Sequence, residues 1–381
     1  MIMTKTIKLA LSFLDEDVIP YSVLCKELFD IQYKSAKISN RIMSYLYANK
    51  QQEFIMQDNG DSIKTENELY GKSLKGYLYD KMKDELSSLY TANIGQLRSF
   101  IENQFSKDIK KGLLKGSISL TNFKRDMPIY LHNKSYRFTE TDKGIGIEIS
   151  LFSREKTKML GMKTGKVSFL VPRLNKHQKT IINQIISNEY KQGSADLIYD
   201  TKKKKWMIAV SFSFKPKECT GQNTLIVRLG TDVLLRLCVI DGKTKTLQKM
   251  DKYDDFVPGL EELQSVQKKM FAMKQSYGNA TRIASANNYG KGYKKRAAKI
   301  LELGKKESRF RDTFNHKISR YVVEIAKRYD CGLIELEDFS KTENAAFKDW
   351  AYYDLESKIT YKAEEEGIKI IETTTDKNTV D

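Results

Sequence analysis

With 381 residues the chain is long enough for two or three domains, each with a core of its own. Its 66 Lys+Arg against 49 Asp+Glu leave a net charge of +17, an excess that favours a polyanionic partner, with a well-solvated lysine-rich surface as the plainer alternative. Three histidines argue against histidine chemistry. The four scattered cysteines (Cys25, Cys219, Cys238, Cys331), without CxxC spacing or neighbouring His, argue against a structural zinc and for a reducing compartment.

The chain opens with "KTIKLALSFLDEDVIP", a strand candidate at 6–13. Its apolar run is too short for a signal peptide and is closed by Asp15, Glu16 and Asp17. No stretch approaches the length of a membrane span, so no membrane partner is expected. From about 24 to 113 the pattern is helical, with Ile31, Ile38, Ile42 and Leu46 on one face. From about 116 the period changes to that of strands. "GIGIEISLF" alternates, a single helix follows with Ile181, Ile182, Ile185 and Ile186 on its inner face, and "KKKKWMIAVSFSF" alternates without error from Trp206 to Phe214.

Residues 223–381 have a different grammar. "NTLIVRLGTDVLLRLCVIDGKTKTLQKM" holds two or three antiparallel strands with a turn at Asp241-Gly242, and a helix follows from about 258 to 276. After a basic connection comes a long helix, with Phe310, Phe314, Ile318, Val322, Ile325 and Tyr329 at helical spacing and Gly332 at its C-cap. Strand "LIELE", a helix from about 350 to 366, and strand "GIKIIETT" close the chain. This order fits a mixed sheet of RNase H-like topology, in which the first strand lies beside the strand that follows the first helix. Asp232 on the first strand and Glu337 near the end of the fourth then come close, although 105 positions separate them. Two acids held so near repel unless a divalent cation lies between them, the arrangement in which two-metal nucleases hold Mg²⁺ ions about 4 Å apart. The alternatives are a turn role for Asp232 and a capping role for Glu337-Asp338.

"RFRDTFNHKISRYVVEIAKRYDCGLIELEDFS" followed by "WAYYDLESKITYKAEEEGIKII" resembles the RuvC nuclease domain of the miniature type V-F CRISPR effectors and their transposon-encoded TnpB relatives. "SLTNFKRDMPIYLHNKSYRF" and "SADLIYDTKKKKWMIAVSFSF" are similar to the wedge domain of those effectors, and the helical segment before them to their recognition lobe. The resemblance implies an α+β, multidomain protein. A wedge N-terminal strand (1–23), a helical recognition lobe (24–115) and a β-barrel-like wedge domain (116–218) would precede an RNase H-like (RuvC) α/β domain (223–381). It also implies that Asp232, in "GTDVL", is the first catalytic acid and Glu337, in "LEDFS", the second.

The pattern departs from the family in two places. Where the family motif "GIDLG" has Gly two places after the Asp, this chain has Leu234, and Arg236 lies two further on, on the same side of a strand as Asp232. The family strand matching "IKIIE" leads into a Cys-rich zinc element and a helix bearing a third catalytic Asp. Here the sequence reads "TTTDKNTVD", with only Asp376 and Asp381 as acids. The expectation is a truncated RuvC domain with vestigial Asp232 and Glu337 and at most a weak Mg²⁺ site. On that reading the protein is not an enzyme, most like the nuclease-dead TnpB-like repressors, and requires no cofactor. The alternative is an active Mg²⁺-dependent nuclease with a non-standard third acid.

A grip on nucleic acid is expected to remain. Residues 291–311 hold nine Lys/Arg against two Glu: Lys291, Lys294, Lys295, Arg296, Lys299, Lys305, Lys306, Arg309 and Arg311, with Tyr289, Tyr293 and Phe310 interleaved. Such a stretch suits a phosphate backbone and unpaired bases, with a solvated helix face as the alternative. Lys124 and Arg125 are further candidates, while Lys202 to Lys205 read as a solvated hairpin tip. The resemblance implies a guide RNA and a double-stranded DNA target beside a short adjacent motif as partners. It further implies repression of transcription by occupancy, a bacterial cytoplasmic, nucleoid-associated location, and an assembly left open between monomer and homodimer.

Overall fold

The computed structural model describes residues 2–60, 66–230, 232–287, 293–337, 339 and 352–373. They divide into two units, 2–214 and 215–381. In the first, β1 (Met3–Ala10) passes through buried Leu11 into β2 (Ser12–Phe13). Then come α1 (Tyr21–Asp58), α2 (Glu66–Tyr70), α3 (Leu74–Glu85) and α4 (Thr91–Lys110). Ile31, Ile38, Ile42 and Leu46 recur at the spacing of one helical face, and all four are buried. Ile94, Leu97, Ile101 and Phe105 form the buried side of α4.

The unit continues with β3 (Ile129–Leu131), β4 (Tyr136–Thr141), β5 (Gly144–Ser150), α5 (Arg154–Met159), β6 (Lys166–Leu170), α6 (Lys176–Ile186), β7 (Lys191–Asp200) and β8 (Lys205–Phe214). Two four-stranded sheets result, β1-β8-β7-β3 and β2-β6-β5-β4, and no closed barrel forms among the described residues. In β8 every second residue, Trp206, Ile208, Val210, Phe212 and Phe214, is buried, as a period of two requires. β1 lies antiparallel along its whole length, Met3 opposite Phe214 and Ala10 opposite Met207. A capping box between Asn175 and Gln178 starts α6, which buries Ile181, Ile182 and Ile185. Ile186, expected on the same face, is 39% exposed. One residue of helix turns a side chain by about 100°, which carries this last position off the apolar stripe.

The second unit contains β9 (Asn223–Leu229), β10 (Leu235–Ile240), β11 (Phe256–Val257), α7 (Leu260–Asn287), α8 (Tyr293–Arg328), β12 (Cys331–Glu337), α9 (Tyr352–Glu365) and β13 (Lys369–Thr373). The sheet order is β11-β10-β9-β12-β13. β9, β10 and β11 are antiparallel, whereas β12 pairs parallel to both β9 and β13. This is the mixed, RNase H-like sheet expected from the order of elements. Leu225, Val227, Leu237, Val239, Ile334 and Leu336 pack with Phe314, Ile318, Val322 and Ile325 of α8 and with Leu355 and Ile359 of α9. Each such burial stabilises by about 1.5–3 kcal/mol, so the seam sets the register and leaves Arg228, Arg236 and Glu337 to the other face of the sheet.

Local differences have local causes. The basic stretch read as a connection is helical from Tyr293 onward, forming the first half of α8. The helix ends at Arg328, and the left-handed φ that closes it, 49°, is taken by Asp330 and not by Gly332. Gly332 belongs to β12, where an added Cβ would lie 2.1 Å from the carbonyl oxygen of Gly221. At the Asp241-Gly242 turn, Asp241 Oδ1 accepts from the N–H groups of Lys243 and Thr244, both at 2.8 Å. No helix among the described residues is long and apolar enough to cross a membrane.

Candidate carboxylate pair and basic surface

β9 leaves the sheet through Gly230, where a Cβ would sit 2.4 Å from the carbonyl oxygen of Val233, so the tight return to β10 needs glycine. Asp232 lies in this turn and not on the strand as expected. Leu234, the residue standing in place of the family glycine, is 1% exposed and donates its N–H to Val257 at 3.0 Å. Glu337 is the last residue of β12 and is half-buried. Because β9 and β12 run parallel, with Val227 opposite Leu336, the turn carrying Asp232 and the end carrying Glu337 lie at the same edge of the sheet. That edge, outside the carboxyl ends of parallel strands, is where sheets of this kind place their chemistry.

The open face supplies cations there. Arg236 pairs across the ladder with Arg228, and Arg228 follows Val227 as Glu337 follows Leu336. Arg236, Arg228 and Glu337 therefore occupy one row on the face away from the helices. Arg228 was not singled out from sequence; the alternation in "LIVRL" carries it, but only the register shows what it neighbours. Arg236 Nη2 donates to both oxygens of Asp232, at 2.8 Å to Oδ1 and 2.6 Å to Oδ2. This bond holds the Asp232 carboxyl below its usual range, and the carboxylate in turn raises Arg236. Among the described residues no three His, Cys, Asp or Glu side chains gather as metal ligands. Both Asp232 oxygens accept from the Arg236 guanidinium, so a cation bound between Asp232 and Glu337 would first have to displace that arginine, which is exposed and free to move. Asp338, Asp376 and Asp381 lie outside the described residues.

The basic candidates divide by unit. Lys124 and Arg125 are exposed in the first, where the Arg125 guanidinium lies 5.3 Å from the centre of the Tyr33 ring. In the second, Lys299, Lys305, Lys306 and Arg309 are exposed on α8 and Arg311 is half-buried. Lys306 is paired with Glu302 at 3.2 Å, Arg311 with Glu307 at 2.6 Å, and Lys299 stands 5.9 Å from the Tyr277 ring. Lys305 and Arg309 make no ion pair among the described residues, which leaves them to a phosphate. Lys294, Lys295 and Arg296 belong to the first turn of α8, with side chains outside the description, and Lys291 lies outside the described residues.

Over 318 residues the chain is 28% identical to the CRISPR-associated endodeoxyribonuclease Cas12f1 of Sulfoacidibacillus thermotolerans, spanning 82% of this chain and 73% of that protein. A Cas12f1 endodeoxyribonuclease of Syntrophomonas palmitatica is 26% identical over 326 residues, 81% of this chain and 63% of its own length. Among solved structures, a Cas12f1–sgRNA–target DNA complex matches with a TM-score of 0.69 over 97% of this chain and 89% of that one, at 16% identity. No protein-family model matches. Both curated relatives are named endodeoxyribonucleases, which overturns the expectation that this chain is not an enzyme. That expectation rested on Leu234, Arg236 and the last few residues, whereas the relationship runs through most of the chain and points to a nuclease. By sequence over 82% of its length the chain is similar to a Cas12f1 protein, and over 97% of its length it shares the fold of one, which supports its resemblance to the miniature type V-F CRISPR effectors.

Proposed function

We propose that this protein is an RNA-guided DNA-binding effector that holds a guide RNA, pairs it with one strand of a duplex beside a short adjacent motif, and acts on that duplex as an endodeoxyribonuclease. The observation that carries it is the placing of Asp232 and Glu337 at one edge of adjacent parallel strands, in a chain whose relatives are named endodeoxyribonucleases. The fold neighbour holding an sgRNA and target DNA supports the same partners. In this division of labour base pairing reads the sequence, while the protein grips backbone and shape. The exposed cations of α8 suit the backbone, because each Lys or Arg that meets a phosphate releases condensed counterions. At the sheet edge Glu337 supplies a negative charge that Arg236 does not cover in the described geometry, and Arg236 orients and screens Asp232.

The test starts from protein purified from cells carrying its own flanking locus. The co-purified RNA is sequenced, a duplex matching its variable end is built, and the complex is incubated with it in Mg²⁺. Cutting that Glu337→Gln abolishes while duplex binding persists is the expected result. Duplex bound but left intact would replace cutting with repression by occupancy, and the absence of any discrete RNA would overturn guidance itself.

A further inference from the structure

Where β1 crosses into β2, the first unit has an open cleft of about 760 Å³, within the range of about 300–1,000 Å³ usual for ligand clefts. Three segments far apart in sequence meet there: the crossing itself from Lys8 to Phe13, the loop after β6 from Val171 to Leu174, and the β7–β8 hairpin tip. Five cations line it, Lys8, Arg173, Lys203, Lys204 and Lys205, against a single carboxylate, Glu16. All five are exposed, and none makes an ion pair among the described residues. The nearby Asp200, its carboxyl held below the usual range by the Lys203 N–H and also by the charges of Lys203 and Lys8, makes no ion pair with Arg173, Lys204 or Lys205 among the described residues. Its Oδ1 accepts from the N–H groups of Lys202 and Lys203, both at 3.0 Å, and so shapes the hairpin tip. Like charges held this close repel one another, and an anion among them relieves that repulsion.

The backbone holds this arrangement at a cost. Arg173 and Lys204 both take left-handed φ, 56° and 51°, without being glycine. Such positions cost on the order of 1 kcal/mol each, and here both lie on the two loops that bring cations to the cavity. Gln178 Nε2 donates to the carbonyl of Lys8 at 3.2 Å, and Asp15 Oδ2 accepts from Ser168 N–H at 2.6 Å, so the walls are tied together. Beside the cations stands an aromatic pair. The Phe13 and Tyr21 rings are 5.7 Å apart at 30°, Phe13 rests on Phe169, and Tyr21 is 37% exposed.

Phosphate-seeking cations next to a half-exposed ring are the two halves of a nucleotide site. We propose that this cavity takes an unpaired nucleotide of a single strand, its phosphates among Arg173, Lys8 and the hairpin lysines and its base against Tyr21. The assignment rests on the reading of the protein as a nucleic-acid effector, and it changes the meaning of Lys203 to Lys205 from a solvated tip to one wall of a site.

The test uses the full chain and a fluorescein-labelled eight-nucleotide RNA, with DNA of the same sequence in parallel. Anisotropy titrations run across salt concentrations for the wild type, a Lys203→Gln/Lys204→Gln/Lys205→Gln variant, Arg173→Gln and Tyr21→Leu. The lysine variant should flatten the salt dependence by about 0.7 in slope for each phosphate it no longer neutralises. Tyr21→Leu should weaken binding about tenfold, as loss of one stacked base does, with the slope unchanged. Photocrosslinking of a 5-iodouridine strand to the wild type, with the adduct mapped to Tyr21 or Phe13, keeps the test decisive if the lysine variant does not fold. RNA binding without DNA binding would place the 2′-hydroxyl in the site; equal binding would leave phosphate and base as the whole of it, and either supports the cavity. Short-strand binding that no variant changes, with crosslinks elsewhere, overturns the cavity and leaves the guided-effector reading intact. Cavity-dependent binding by a protein that co-purifies no discrete RNA would do the reverse. A wild type that binds neither strand overturns the cavity.

Discussion

A single nitrogen of Arg236 bridges both carboxylate oxygens of Asp232, four residues back across the turn that enters β10. The pair is water-facing, 46% exposed on the arginine and 62% on the aspartate, so its consequence is electrostatic and local and not a matter of stability. Arg236→Gln should raise the Asp232 carboxyl toward the ordinary carboxylate range, with the backbone N–H groups of Asp232 and Val233 still holding it somewhat down. The sign follows from the ion pair favouring the ionised form, which must then be protonated at lower pH when the arginine is present. Carboxyl-detected NMR titration reads it directly. An Asp232 that titrates at the same pH in both proteins would show that the guanidinium is not what depresses it.

Lys358 is buried on α9 between two carboxylates, Asp312 at 3.0 Å and Asp354. Burial alone would push the Lys358 pKa down, but the two carboxylates outweigh it and raise the value. Burial likewise works against ionised Asp354, and the Lys358 ammonium and the Asn315 amide outweigh it and lower the value. The lowered aspartate contributes stability above the unfolded value near 3.9 and loses it as pH falls through the folded value. The raised lysine contributes below the unfolded value near 10.4 and loses it as pH rises through the folded value, so the pair is fully stabilising between about pH 4 and 10. Lys358→Met should cost about 1–2 kcal/mol in urea unfolding at pH 7. That is less than breaking a fully dry pair, since both aspartates face water. It should also flatten the loss of stability below pH 4.

Gly332 faces Gly221 so closely that a methyl group has nowhere to go. Gly332→Ala must separate β12 from the segment that enters β9, and should destabilise the second unit by about 3 kcal/mol, at the upper end of what overpacking costs. Thermal unfolding checks this, with Gly304→Ala as the matched control. Gly304 lies within α8 with open space around it, so alanine there should be neutral or slightly stabilising.

Lys305 and Arg309 lack ion partners among the described residues, whereas Lys306 and Arg311 are held by Glu302 and Glu307. If α8 meets a duplex backbone, Lys305→Gln and Arg309→Gln should each reduce the salt slope of DNA binding by about 0.9. Lys306→Gln and Arg311→Gln should change it less, because those cations must first leave a carboxylate. Equal effects at all four positions would mean that the intrahelical pairs do not compete with phosphate.

Elements were legible in the sequence where one period dominates. β8 is read correctly because its five apolar positions never miss a beat, and α8 because Phe314, Ile318, Val322 and Ile325 need a single helical face. The neighbouring of β9 and β12 followed from the order of elements alone. The site was less legible, because what matters there is cross-strand register and convergence. The sequence pattern puts Asp232 on a strand, yet Gly230 turns the chain before it. Arg228 falls beside Glu337 in register only once two strands are laid side by side. Lys203 to Lys205 look like a solvated tip until Arg173 and Lys8, from other parts of the chain, are seen to line the same cavity.

The pairing of β1 with β8 also dictates an order of events during synthesis. Thr4 and Ser213 touch through their hydroxyls at 2.9 Å although 209 positions separate them. β1 is synthesised some two hundred residues before its partner and therefore has no ladder to join until β8 has emerged, while α1 to α4, dominated by near-neighbour packing, can form at once. Through that interval the alternating segment "MTKTIKLA" has both its edges unpaired. Its two lysines are the charges that keep such a strand from pairing with another nascent chain, and replacing Lys5 and Lys8 with valine should show itself as aggregation during translation.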